Sequence, residues 1–167
     1  MNEKLISVIL PVYNGADFLD ESIESILNQS YKDFEFIIIN DGSTDNTLDI
    51  IRKYATQDLR IRVIDRENKG LVESLNEGIS KAKGKYIARM DADDIALPHR
   101  LEQQFNYMES DPEITILGTF IEAIGDDPQE IALINLWCNE RITDDNILFK
   151  VSRGCPIAHP TVMMKSN

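Results

Sequence analysis

The sequence of 167 residues has little cysteine, little positive charge and no long apolar run. Cys138 and Cys155 are its two cysteines, and neither sits in a C-x-x-C spacing or beside a cluster of ligand residues. That pattern argues against a disulfide framework and against a zinc site, leaving two reduced packing thiols. Lys and Arg number 17 against 29 Asp and Glu, a formal net charge of −12. Nucleic acid backbone and anionic lipid would be repelled by such a surface, so no nucleic acid partner is expected. A phosphate ligand would need a cation to accompany it. No apolar run approaches the ~20 residues of a membrane helix, and no signal-peptide core follows Met1. The expected setting is the cytoplasm, with peripheral contact at the inner face of the cell membrane left to regions outside this chain. Internal repeats, low-complexity stretches and linkers are absent too, which predicts one domain across residues 1–167.

What is present is an alternation of short aliphatic runs and amphipathic segments. Leu5 to Leu10 is a buried strand that should stop at Pro11, which cannot donate to a ladder. From Ala16 to Asn28 the apolar residues Phe18, Leu19, Ile23, Ile26 and Leu27 share one helical face. Phe34 to Ile39 is a second buried strand, followed by the turn residues Asn40-Asp41-Gly42-Ser43. Ser43 or Thr44 should cap a helix to about Thr56 with Leu48, Ile51 and Tyr54 or Ala55 inward. Arg60 to Asp65 and Lys85 to Met90 read as strands three and four, with a helix between them from Gly70 to Ala82 that turns Leu71, Leu75 and Ile79 inward. A further helix starts near Pro98 and runs to about Met108. Glu113 to Ile124 is β-branched and should form a long central strand, with Glu130 to Leu136 and Pro160 to Met164 as two more. Thr143 to Asn146 has the signature of a capped helix start. Such alternation predicts an α/β fold, a mostly parallel sheet with helices on both faces.

Chemistry is concentrated in Asp91-Ala92-Asp93-Asp94, directly after the fourth strand. In extended backbone, side chains two apart point the same way, so Asp91 and Asp93 would converge on a divalent cation such as Mg²⁺ or Mn²⁺. The same string also describes an acidic solvated turn. Open parallel sheets bind ligands beyond the carboxyl ends of their strands. Three polar groups fall there: Pro11-Val12-Tyr13-Asn14, then Asn40 to Ser43, then the aspartates. A nucleotide suits them, with Tyr13 beside a base, Asp41 accepting from a ring N–H or a ribose hydroxyl, and the aspartates holding metal and phosphates. NAD and FAD are disfavoured, because the turn after the first strand has Gly15 alone where a dinucleotide fold needs G-x-G-x-x-G. Lys69, Arg89 and Arg100 are the cations placed to help with phosphates, although Arg89 also stands where it would pair with the acidic motif.

The strings Ser7 to Asn14, Asn40 to Asp45, Asn68-Lys69-Gly70 and Asp91 to Asp94 with Pro98 and Arg100 together resemble the family 2 glycosyltransferases of the GT-A fold. The resemblance spans residues 5 to about 105, and His159-Pro160-Thr161-Val162 is similar to a segment of members that build bacterial surface polysaccharide. It implies inverting transfer from a nucleotide-activated sugar, usually a UDP-sugar, to a saccharide or lipid-linked acceptor with a divalent metal. Carried over by position, Pro11 and Tyr13 would line the base pocket and Asp41 would recognise the uracil or its ribose. Asp91 would face the ribose and sugar-phosphate side, Asp93 would be the principal metal ligand, and Asp94 would either support these groups from behind or reach the donor sugar. The family's general base lies after a strand resembling Thr161 to Met164, and this chain stops at Asn167. The catalytic residue is therefore expected beyond the chain, which would bind donor without completing catalysis. The competing readings are a Mg²⁺-dependent nucleotidyltransferase, whose Gly- and basic-rich triphosphate loop is missing, and a non-catalytic nucleotide-sugar-binding module.

Overall fold

The computed structural model of the chain describes residues 6–139 and 157–166. The elements in chain order are β1 (Ile6–Val12), α1 (Leu19–Leu27), β2 (Phe34–Asp41), α2 (Thr47–Gln57), β3 (Ile61–Arg66), α3 (Leu71–Lys81), β4 (Tyr86–Arg89), α4 (Arg100–Ser110), β5 (Ile116–Leu117), α5 (Pro128–Cys138) and β6 (Met163–Lys165), with a 3₁₀ turn at His159–Thr161. One six-stranded sheet has the order β3-β2-β1-β4-β6-β5. β1 pairs in parallel with both β2 and β4, β2 in parallel with β3, and β6 runs antiparallel between β4 and β5. The α/β architecture with a mostly parallel sheet matches the pattern read from the chain.

β1 and β2 are buried along their whole length, as continuous aliphatic runs require when helices cover both faces. Alternate residues divide the core. Ile6, Val8, Leu10, Phe34, Phe36 and Ile38 pack with α1, α2 and α4, while Ile9, Ile37, Ile39 and Ile87 meet Leu75 of α3 on the opposite face. At the amino end of the strands, buried Glu35 accepts from Ser7 Oγ at 2.7 Å, Lys83 N at 2.7 Å and Arg62 Nη at 2.6 Å. Burial acts to raise the Glu35 pKa, but these donors bring it below the ordinary carboxylate value.

Several boundaries differ from the sequence pattern. β1 continues through Pro11 to Val12, because Pro11 pairs with Ile39 on one side while the β4 register ends at Ile9–Arg89 on the other. Met90 N–H donates to Ile9 O, so Pro11, two residues on, turns its missing donor to the side where the β4 ladder has already finished. α2 begins at Thr47, later than Ser43 or Thr44, since those residues are spent on the neighbouring loop. The inward face of α3 is Ser74 and Gly78 with half-buried Leu75, whereas Leu71 and Ile79 are exposed.

Glu113 to Ile124 is not a central strand: only Ile116 and Leu117 pair, at the sheet edge. Beyond them the backbone N–H groups of Thr119, Ile121 and Ala123 donate to Thr161 Oγ1, Asn139 Oδ1 and Asn135 Oδ1. Side chains thus satisfy the donors that a ladder would have taken. Glu130 to Leu136 is helix α5, not a strand; Asp127 Oδ1 accepts from Gln129 N at 2.8 Å and Pro128 occupies the first turn. Pro160 and Thr161 belong to the 3₁₀ turn, so the last strand begins at Met163. Thr143 to Asn146 and Cys155 lie outside the described residues.

Gly78 is where α3 touches the sheet. A Cβ there would stand 2.5 Å from Ile9 Cγ2 and 3.1 Å from Ile39 Cδ1. Gly78→Ala should therefore lower stability by about 1–3 kcal/mol through overpacking, although alanine is the better helix former by about 1 kcal/mol. Urea denaturation checks this, and a variant more stable than the parent would show that α3 moves away freely.

Candidate functional site

The loops after β1, β3 and β4 line a cleft of ≈ 360 Å³ at one edge of the sheet, through Pro11 to Gly15, Phe18, Leu71, Arg89 and Asp91 to Asp93, and the loop after β2 leaves at the same edge. Two of these loops lock each other. Asn14 N donates to Ser43 Oγ at 2.9 Å, Gly15 N to Thr47 Oγ1 at 3.0 Å and Thr44 N to Asn14 Oδ1 at 2.7 Å. Asn14 takes the left-handed φ of 52°, a conformation asparagine tolerates better than most residues. Asp45 accepts from Ala16 N and Thr47 N, and hydrogen bonds led by that of the Thr47 side chain lower its pKa despite some opposing burial. The result presents Tyr13, 53% exposed, at the cleft wall.

Asp41 ends β2 but does not line the cleft itself. Its carboxylate is buried and accepts from Lys69 N and Gly70 N, each at 2.8 Å, and from Arg66. Burial pushes the Asp41 pKa upward; the two backbone N–H groups and the guanidinium outweigh it and hold the group ionised below its ordinary value. Gly42 permits this close approach, with φ of +72° and no room for a Cβ, which would meet Asn68 N at 2.6 Å. Three acceptor positions of about four are thereby used. Leu71, next to Gly70, brings this loop to the cleft.

The acidic motif forms a turn and not the extended backbone expected for it, with Asp94 N donating to Asp91 O at 3.4 Å. Asp91 and Asp93 therefore do not converge by strand alternation. Asp91 is held by Arg89, Nε to Oδ1 at 2.8 Å and Nη to Oδ2 at 3.1 Å, while Asp93 is exposed in the cleft. Among the described residues no three His, Cys, Asp or Glu side chains are grouped to hold a metal ion unaided. A hard cation that shares phosphate oxygens and water needs only one or two carboxylates, so Asp93 and Asp91 fit that mode and not a closed protein cage.

Asp94 lies behind the lining. Burial, followed by repulsion from Asp93 and Asp91, raises its pKa to about 6 against partial relief from Arg100 and Arg89. Arg100 is buried below the turn, where it donates to Arg89 O at 2.8 Å and to Gln104 Oε1 at 3.1 Å. Burial lowers its pKa to about 10, which still leaves it charged at neutral pH.

The residues that carry this turn were not singled out from the sequence. Ser22 Oγ donates to Asp91 O at 3.1 Å, Ser25 Oγ accepts from Ala96 N at 3.0 Å, and Gln29 Oε1 accepts from Leu101 N at 3.0 Å. All three occupy one side of α1 and the residues just after it, beside the buried apolar stripe. The signal was available as polar residues at helical spacing on an inward face. His159 is exposed in the 3₁₀ turn and does not line the cleft.

The model of glycosyl transferase family 2 matches residues 7–165. An uncharacterized glycosyltransferase of Haemophilus influenzae is 40% identical over 174 residues, covering 99% of this chain and 53% of its own length. The putative glycosyltransferase EpsE of Bacillus subtilis is 39% identical over 164 residues, covering 97% of this chain and 56% of its own. The chain thus spans about half the length of these curated relatives. Among solved structures, S. aureus TarS 1-349 in complex with UDP superimposes with a TM-score of 0.72 at 22% identity, over 97% of this chain and 47% of that one. The mannosyltransferase PcManGT from Pyrobaculum calidifontis, in complex with GDP-Man and Mn²⁺, gives 0.64 at 22% identity over 77% and 37%. Likeness at that identity carries the fold alone, and the fold is GT-A.

The acidic turn yields a pH prediction. The folded pKa of Asp94, about 6, lies above its ordinary 3.8. Its ionisation thus opposes folding, with no penalty below about pH 4, a growing one up to about pH 6 and the full one above. Asp94→Asn should raise the melting temperature at pH 7.5 and leave it unchanged at pH 4. Thermal unfolding at both pH values checks this; an equal gain at both would show that charge is not the cause.

Proposed function

The chain belongs to glycosyl transferase family 2, and from that premise we propose that its cleft binds a nucleoside diphosphate sugar, most simply a UDP-sugar, for inverting transfer to an acceptor hydroxyl. The observation that carries this reading is the convergence at one sheet edge of an exposed aromatic, an ionised buried carboxylate, and a cleft-lining carboxylate with a guanidinium beside it. In this reading Pro11 and Tyr13 flank the base, and Asp41 accepts from the base N–H or the ribose. Asp91 faces the ribose and sugar-phosphate side, and Asp94, half-buried and outside the cleft lining, supports that side or reaches the donor sugar. Asp93, assisted by Asp91, would hold a divalent cation, Mg²⁺ or Mn²⁺, whose chemistry is to neutralise charge on the departing diphosphate. UDP in TarS and GDP-Man with Mn²⁺ in PcManGT support a nucleotide-sugar site with metal in this fold.

Inversion requires attack on the anomeric carbon from the face opposite the leaving diphosphate, with a carboxylate taking the acceptor's proton. Asp91 and Asp93 are assigned to the leaving-group side, so neither serves as that base. The acceptor is a saccharide or a lipid-linked saccharide, and the setting is assembly of surface polysaccharide at the inner face of the cell membrane. Among the described residues no helix is long and apolar enough to cross a membrane.

Titration calorimetry with nucleoside diphosphates, with and without Mn²⁺, tests the site. UDP should bind at least tenfold more tightly with the metal, and Asp93→Ala should erase that dependence. Asp41→Ala should weaken UDP far more than inorganic diphosphate. UDP binding that ignores both metal and Asp93, or equal loss for UDP and diphosphate in Asp41→Ala, would contradict these assignments.

A further inference from the structure

Arg89 ends β4 and lines the cleft beside the acidic turn. Its Nε and one Nη hold the two oxygens of Asp91, with side-chain exposures of 18% for Arg89 and 26% for Asp91. This side-on pairing fixes the plane of the guanidinium and uses two of its five N–H donors. Three hydrogens stay free, two of them forming the end-on fork between the two Nη atoms, and none has a partner among the described residues. Asp91 is itself anchored, because its carbonyl accepts from Ser22 Oγ and from Asp94 N.

The other nearby guanidiniums are committed. Arg100 is buried against Gln104, Met90 Sδ and Arg89 O, and Arg66 is spent on Asp41, Glu77 and Ser74. Among the described residues lining the cleft, Arg89 is the one cation.

We propose that Arg89 is the residue of this chain that binds the phosphates of the donor, with Asp91 as the positioning residue that aims its free fork. The proposal rests on the reading that the cleft takes a nucleoside diphosphate. A planar fork matches two phosphate oxygens, and a guanidinium pre-ordered by a carboxylate loses little freedom when it engages them. The pairing also removes one negative charge from the wall that a diphosphate must approach. Asp91 then aims Arg89 while it assists Asp93, the principal carboxylate for a cation.

The experiment compares UDP and uridine on the 167-residue chain in the presence of Mn²⁺, by calorimetry for UDP and by NMR shift titration for uridine. Arg89→Met should weaken UDP at least tenfold and leave uridine within twofold. Arg89→Lys, which keeps the charge but not the fork, should fall between Met and the parent for UDP and again spare uridine. A purely structural ion pair would weaken both ligands alike in either variant, and that result would overturn the proposal, as would UDP affinity within twofold of the parent in Arg89→Met. Should Arg89→Met not fold by circular dichroism, Arg89→Lys decides on the same criterion, at least threefold for UDP against an unchanged uridine. A parent chain that binds no UDP would instead remove the underlying reading and the proposal with it.

Discussion

A strand hydrogen-bonded to parallel neighbours on both sides has no short way back, because each partner must be reached through a crossover that covers one face of the sheet. β1 and β2 are both such strands, and β1 is in register with β2 from Ile6–Phe34 to Val12–Asn40 and with β4 from Ile6–Tyr86 to Ile9–Arg89. Every loop that leaves β1, β2 or β4 therefore emerges at the same edge. The shorter register with β4 leaves an opening above Arg89, and the polar residues of three loops line or support it. Removing aliphatic burial from β1 would dissolve the site along with the core, since the two are ends of the same strands.

Charge at that edge is organised in layers. Three aspartates crowd one turn, and two arginines offset them from different depths, Arg89 at the cleft and Arg100 beneath it. The perturbed Asp94 is the residue on which burial and repulsion fall together. At the end of β2, Asp41 is the opposite case, a buried carboxylate kept ionised by three donors. In the proposed reading, a strongly acidic protein receives an anionic ligand by pairing some of its carboxylates in advance and leaving Asp93 for a cation. The net charge of −12 remains a property of the surface as a whole.

Much of this was legible in the chain because it is local. Continuous aliphatic runs identified β1 and β2, and the order of turn residues located Tyr13, Asp41 and the aspartates at strand ends. What escaped was set by contacts distant in sequence. Ser22, Ser25 and Gln29 support residues 69 to 72 positions away, and no periodicity names such partners. The segment 119–123 has strand-forming composition, yet asparagine side chains of α5 and just beyond it, with Thr161, take its N–H groups. In α3 the small residues Ser74 and Gly78 were passed over for Leu71 and Ile79, because hydrophobicity ranks side chains while close packing on a flat sheet favours the absence of one. The acidic motif and its pairing with Arg89 were legible in the sequence, but its turn geometry required the fold.

The central claim is that the nucleotide sits at the carboxyl edge of β1, β2 and β4, with its base by Tyr13 and its phosphates between Arg89 and Asp93. A crystal structure of the chain with UDP and Mn²⁺ tests it most directly. The account predicts electron density for the base against Pro11 and Tyr13, the ion on Asp93, and a phosphate oxygen within hydrogen-bond distance of Arg89. Density for UDP elsewhere, such as the opposite sheet edge near Ser7 and Glu35, or in the cleft with its phosphates turned away from both residues, would contradict it.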